Sequence, residues 1–191
     1  MRNFIAGVIV TVIGAFIVGA IVWIVVLPQM DWSATKTPGA IEQTLAQNVV
    51  ERWLRRNAGS ATNPLSETPE NLKAAQGDYE EHCAACHALD GSATNQFEAD
   101  FHPPVMKLTE DVQKLSDAEL YFVIAKGISN TGMPGFGKEH SPDDIWHFTL
   151  WVRHLAKLTP TEKEAIESQM KEKTGAHERT MDHHPDHSHH D

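Results

Sequence analysis

The only two cysteines in the 191 residues stand in one short run, Cys83-Ala84-Ala85-Cys86-His87. Thiols this close in sequence close almost no loop, so a stabilising disulfide explains them poorly. A structural zinc site needs two more ligands at matching spacing, and there is no second cysteine pair. A thioredoxin-like redox pair calls for a strand–helix–strand setting, and no strand pattern occurs in the chain. Haem attachment remains. The two thiols add to the porphyrin vinyl groups, and the adjacent imidazole ligates the iron. One such run predicts one covalently attached haem c per chain, with His87 as the proximal ligand.

The opposite face of the iron needs a sulfur or an imidazole from a remote and pliable segment. Met133 fits best: it lies in Thr131-Gly132-Met133-Pro134-Gly135, where glycines allow the backbone close to the ring. A methionine of an ordinary core sits on a periodic helix face, and Met133 does not. Met106 and His102 are the other candidates. Met106 follows Pro103-Pro104 closely, and His102 would give a bis-histidine iron of lower potential. With both axial positions filled, the iron changes valence and does little else. The expected function is therefore one-electron transfer, not catalysis. A peroxidase or a nitrogen-oxide-binding protein would need an open or displaceable sixth position.

Helices must hold these residues. Thr68-Pro69 is an N-cap and first helical position, opening a helix with Leu72, Ala75 and Tyr79 on one face that runs into Cys83. Ser116-Asp117-Ala118-Glu119 is a capping box for a helix ending at Gly127. Ser141-Pro142-Asp143-Asp144 opens another, holding Ile145, Phe148, Trp151, Val152 and Leu155. Thr159-Pro160-Thr161-Glu162 starts a polar helix expected to end near Gly175. Upstream, Ile41, Leu45, Val49 and Trp53 recur every four residues, one apolar stripe of a helix over residues 41–57. Such a stripe is expected to pack on its own domain, with a docking surface for a membrane partner as the alternative. The fold class is all-α.

Phe4 to Leu27 is 24 residues without a charge. At about 1.5 Å per residue, a helix of this length crosses a hydrocarbon core with some tilt. Trp23 and Trp32 suit the interface, and Pro28 ends the helix. A cleaved leader has an apolar stretch of only about 7–15 residues, so an uncleaved transmembrane anchor is the better reading. Arg2, the one positive charge ahead of it, orients it only weakly.

The net charge is −10, and residues 70–157 hold fourteen acidic against seven basic side chains. This balance excludes nucleic acid as a partner. It suits a redox protein or membrane complex with a basic docking face, or simply a solvated acidic surface. The last stretch carries His177, His183, His184, His187, His189 and His190 among Asp182, Asp186 and Asp191. It is too polar to bury a core and is expected to be disordered. His183, His184, His187, His189 and His190 would suit a divalent metal ion, or form a solvated tail.

Asn63 to Leu158 resembles the membrane-anchored, single-haem class I cytochromes c of bacteria. The resemblance rests on Asn63-Pro64, Thr68-Pro69-Glu70, Cys83–His87, Pro103-Pro104, Thr131-Gly132-Met133-Pro134 and Asp144-Ile145-Trp146, in that order. It implies a haem domain over 63–158, between an anchor (1–28) with its linker and amphipathic helix (29–62) and a polar helix (159–175) with its histidine-rich tail (176–191). It also implies that Ala75 and Tyr79 meet Phe148 and Trp151 where two helices cross, and that the Pro103-Pro104 backbone accepts a hydrogen bond from the His87 ring. Haem is attached to such proteins on the outer side of the cytoplasmic membrane, so the chain from Pro28 onward should be periplasmic. The chain departs from the pattern between Ala88 and Phe101, where much of the usual glycine is missing.

A single attachment run predicts one iron per chain, retained after acid-acetone extraction of the denatured protein. Haem that washes out, or an intact mass lacking it, contradicts that expectation.

Overall fold

The computed structural model describes residues 2–31, 33, 36, 38–93, 101 and 103–181, and among them every regular element is helical. The chain divides into two units, Met1–Lys36 and Thr37–Asp191.

The first unit is the helix α1 (Arg2–Ile21), which passes through a wider π-helical turn at Val22–Val26 and a tighter turn at Leu27–Gln29. Its apolar side chains are exposed, from Phe4 through Trp23 to Val26. Nothing in the unit offers them a core, so the stretch Phe4–Gln29 has the length and composition of a membrane span. Pro28 occupies the first positions of the closing turn, where its missing N–H costs nothing, and the helical path stops directly after it.

In the second unit, α2 (Ala40–Asn57), α3 (Pro69–His82), the one-turn α4 (Ala84–His87), α5 (Asp117–Lys126), α6 (Pro142–Leu155) and α7 (Pro160–Met181) follow in order. The start signals act as the sequence predicts. The Thr68 side chain accepts from the Asn71 N–H, and Ser116 and Ser141 form full capping boxes with Glu119 and Asp144. The main packing is α3 across α6, with α5 laid against α6. Ala75, Tyr79, Phe148 and Trp151 all lie in the one buried cluster, in agreement with the expected crossing. Tyr79, Phe148, Ile145 and Thr149 are the largest side chains shut off completely.

Polar ties fix the layers. Asn63 Nδ2 donates to the Trp146 carbonyl at 3.0 Å, fastening the approach to α3 onto α6. The Arg153 guanidinium, on α6, donates to Asp117 Oδ1 at 2.9 Å, to the Gln113 carbonyl at 3.1 Å and to the Leu115 carbonyl. It so closes the entrance of α5.

Two elements differ from expectation. The stripe on α2 does not pack along its length: Ile41, Leu45 and Val49 are 78%, 61% and 66% exposed, while Val50, Trp53 and Leu54 meet the core. A spacing of four advances about 40° per step on a 3.6-residue helix, so Trp53 points about 120° away from Ile41. Only the far end faces α5, where the Trp53 and Phe122 rings lie 5.0 Å apart. The other difference is α7, which continues past Gly175 to Met181. One glycine costs a helix only about 1 kcal/mol, and the residues around it are good helix formers.

The helix α7 is fastened to the domain by Leu158, Ile166 and Met170 on the core and by a hydrogen bond of 2.9 Å between His154 Nε2 and Glu162 Oε1. The His154 bond and the N–H and hydroxyl of Thr159 hold the Glu162 carboxyl down at about 2, against an ordinary 4.5. A depressed carboxyl stabilises fully above its unfolded value and loses that contribution as pH falls through its folded one. Glu162→Gln is therefore expected to lower the urea midpoint at pH 6, and the gap to the parent chain should close between about pH 4.5 and 2. A gap unchanged over that window would show that the carboxylate does not carry the contact.

Candidate functional site

Cys83 caps α3, and the chain turns at once into α4. The Cys83 N–H donates to the Tyr79 carbonyl at 2.8 Å, and the Cys83 carbonyl accepts from the N–H groups of Cys86 at 3.1 Å and His87 at 2.9 Å. One tight turn therefore carries both thiols and the imidazole. Both cysteines are half-buried, and they are not joined in a disulfide. Burial first, then the neighbouring Cys86 and Asp78, pushes the Cys83 thiol up to about 12, so it stays protonated at neutral pH. That disfavours a thiolate metal site and leaves a neutral thiol.

The His87 ring is oriented by the backbone. Its Nδ1 lies 3.1 Å from the Met106 carbonyl oxygen, an acceptor, so Nδ1 carries the proton and Nε2 keeps a free lone pair. Burial lowers the His87 pKa, opposed in part by that carbonyl, which favours the neutral ring a metal requires. The acceptor is thus Met106, not Pro103 or Pro104 as the resemblance implied. The two prolines are exposed and lie two and three residues before Met106 in an irregular stretch. The Met106 side chain is 51% exposed.

Sequence reasoning placed Tyr79 only on a core face. Its hydroxyl, fully buried, donates to the Ala88 carbonyl at 2.6 Å and pins the residue that follows His87. There the chain reverses through Ala88 and Ala93, both at φ +61°, and the Ala93 N–H returns to the His87 carbonyl at 3.0 Å. Alanine in this region is strained by about 1 kcal/mol or more, which the surrounding bonds must offset.

Met133 lies in the loop between α5 and α6, half-buried on the same core as Cys83 and Ala84. Its N–H donates to Thr131 Oγ1 at 3.1 Å, and its carbonyl accepts from the Ile128 N–H at 3.1 Å. The glycines nearby serve the loop's contact with α5 as much as any approach to a ring. A Cβ on Gly127 (φ +67°) would stand 2.6 Å from the Gly135 nitrogen, and one on Gly135 would stand 2.6 Å from the Lys126 carbonyl. The N–H groups of Phe136 and Gly137 then bond to the Ile124 and Ala125 carbonyls at 3.0 and 2.9 Å. Backbone is thus stitched to backbone, with no room for a methyl group. Trp32, His102 and the tail histidines His183, His184, His187, His189 and His190 lie outside the described residues.

The donor set fits a haem: two thiols, an imidazole whose Nδ1 is turned to a carbonyl, and a thioether on the same core. The family described as cytochrome c oxidase, cbb3-type, subunit III matches residues 70–152. No curated protein matches the chain. Among solved structures, a chain of the reducing HAO-like protein complex of Kuenenia stuttgartiensis is similar over 48% of this chain, at 26% identity and a TM-score of 0.42. The similarity spans 46% of that chain, about half its length. The family match covers 70–152, less than half of the chain, and it agrees with the cysteine run and the helix order in supporting a c-type cytochrome domain there.

Proposed function

We propose that this protein is a membrane-anchored electron carrier in which Cys83 and Cys86 hold one haem by thioether bonds and His87 and Met133 are its axial ligands. The observation that carries the reading is the His87 ring, turned by the Met106 carbonyl so that Nε2 is the free nitrogen, one turn after Cys83. When bound, the haem supplies a one-electron valence change. The chain's own residues do the rest. Tyr79 holds the turn after His87 in place, and the bonds at Met133 hold the thioether against drift. The core of α3, α5 and α6 excludes water from the site, which favours the less charged, reduced state.

The span Phe4–Gln29 would keep the domain at the cytoplasmic membrane, on its periplasmic side, and confine its search for partners to two dimensions. The acidic surface suits a redox partner with a basic face. A second reading, a fixed electron-entry subunit of a larger membrane oxidoreductase, is favoured by the exposed Ile41, Leu45 and Val49. The matched family's own description, as an oxidase subunit, points the same way. A complex that survives gentle detergent solubilisation supports the subunit, and a monodisperse single chain supports the free carrier.

Ligation by Met133 is tested in the spectrum. The oxidised protein should show the weak long-wavelength band of thioether sulfur on ferric iron, and the reduced protein should bind carbon monoxide poorly at neutral pH. Met133→Ala should abolish the band, admit carbon monoxide and lower the potential, while Met106→Ala should leave all three in place. An unchanged spectrum in Met133→Ala removes Met133 as the ligand. Rapid, complete carbon monoxide binding by the parent protein would instead favour a haem enzyme or sensor.

Gly127→Ala probes the support of that ligand. The added methyl group meets backbone at 2.6 Å in a left-handed conformation, so the loop must move. The band should weaken with the haem still attached, and thermal stability should fall by about 1–3 kcal/mol. A variant with the parent's band and stability would show that the loop is not held this way.

A further inference from the structure

Away from the cysteine run, one face of the α3–α6 crossing gathers groups that electron transfer does not use. Asp78 is on α3; Asp144 and His147 are on α6, three residues apart and so on one side of it. One ligand atom from each, two carboxylate oxygens and an imidazole nitrogen, lies within 4.8 Å of the other two. His147 Nδ1 already sits 3.1 Å from Asp78 Oδ2.

The N–H and hydroxyl of Ser141 hold the Asp144 carboxyl below its ordinary range, so it is ionised. Among the described residues, neither Asp78 nor Asp144 has an ion pair to lysine or arginine. The two carboxylates meet across the His147 imidazole, with His140 also close to Asp144, and a cation bound between them adds to what these rings offset.

We propose that Asp78, Asp144 and His147 form a divalent transition-metal site with three protein ligands and open positions for water. The donor set decides the class of ion. Calcium and magnesium take six or more oxygens, whereas one imidazole with two carboxylates suits zinc and its neighbours. At zinc–ligand bonds near 2.1 Å, tetrahedral donors stand roughly 3.4 Å apart, so the site must tighten on binding. Asp78 can supply that motion: its side chain is 37% exposed and held at the site only by His147. Asp144 keeps one oxygen on the Ser141 N–H at 2.9 Å and has the other to give. An ion here would cross-link α3, the helix that delivers Cys83, to α6, and would place positive charge at the base of the haem turn. The site does not depend on which residue ligates the iron.

The test is zinc titration by calorimetry on the full-length holoprotein. His177, His183, His184, His187, His189 and His190 are changed to serine, so that they do not take up the probe. One zinc per chain is expected. Asp78→Asn and His147→Ala should each weaken it at least about tenfold with the haem spectrum unchanged, because losing a ligand costs no less than losing its support. Glu81→Gln, on an exposed neighbour in α3, should bind as the parent does. Absent binding, equal binding by Asp78→Asn and His147→Ala, or an equal loss in Glu81→Gln, would overturn the proposal. The last result would reduce the effect to adsorption on an acidic surface.

Discussion

A buried hydroxyl needs an acceptor, and in this domain that need fixes the geometry of the whole site. Tyr79 is on the face of α3 that packs against α6, where no water reaches it. Its O–H finds the Ala88 carbonyl at 2.6 Å, nine residues on. The bond is possible only if the intervening chain makes the turn that carries Cys83, Cys86 and His87. Packing of α3 on α6 and presentation of the attachment run are therefore one event. Leaving the hydroxyl without a partner would cost about 1–3 kcal/mol, a large share of the stability of a small domain.

The same economy appears at the methionine loop. In the proposed site Met133 would be a weak thioether ligand, so the segment that presents it has to be held by other means. Here the loop is bonded through Phe136 and Gly137 to the last carbonyls of α5, groups that every helix end leaves without intrahelical partners. Gly127 and Gly135 make the approach possible because neither carries a side chain at the contact. A loop fastened by backbone places Met133 through the chain's own hydrogen bonds alone.

What was legible in the sequence was mostly local. Caps at Thr68, Ser116 and Ser141 announce their helices because each satisfies N–H groups within three residues. The attachment run is legible for the same reason, since its chemistry lies within five positions. The Met106 carbonyl was not legible, because a backbone acceptor leaves no trace in residue type. The prolines before it drew attention, yet the acceptor is the Met106 carbonyl. The exposed half of α2 was misjudged through period: a repeat of four looks like a single stripe but winds about 40° per step around the helix. The grouping of Asp78 with Asp144 and His147 spans 69 residues between its bonded members and needs the crossing angle of two helices. No spacing rule reaches that far.

Exposure of Ile41, Leu45 and Val49 bears on what the domain can dock against. A helix that buries its far end on α5 and leaves three aliphatic side chains to solvent forgoes roughly 1.5–3 kcal/mol for each side chain it could have covered. Self-packing cannot recover this, because the winding of the stripe turns those residues away from α5. Contact with a second apolar surface can, and it would be made by α2, a different element from the α3 and α4 that carry the cysteine run. The two proposed readings, a free carrier and a fixed subunit, differ in what α2 touches.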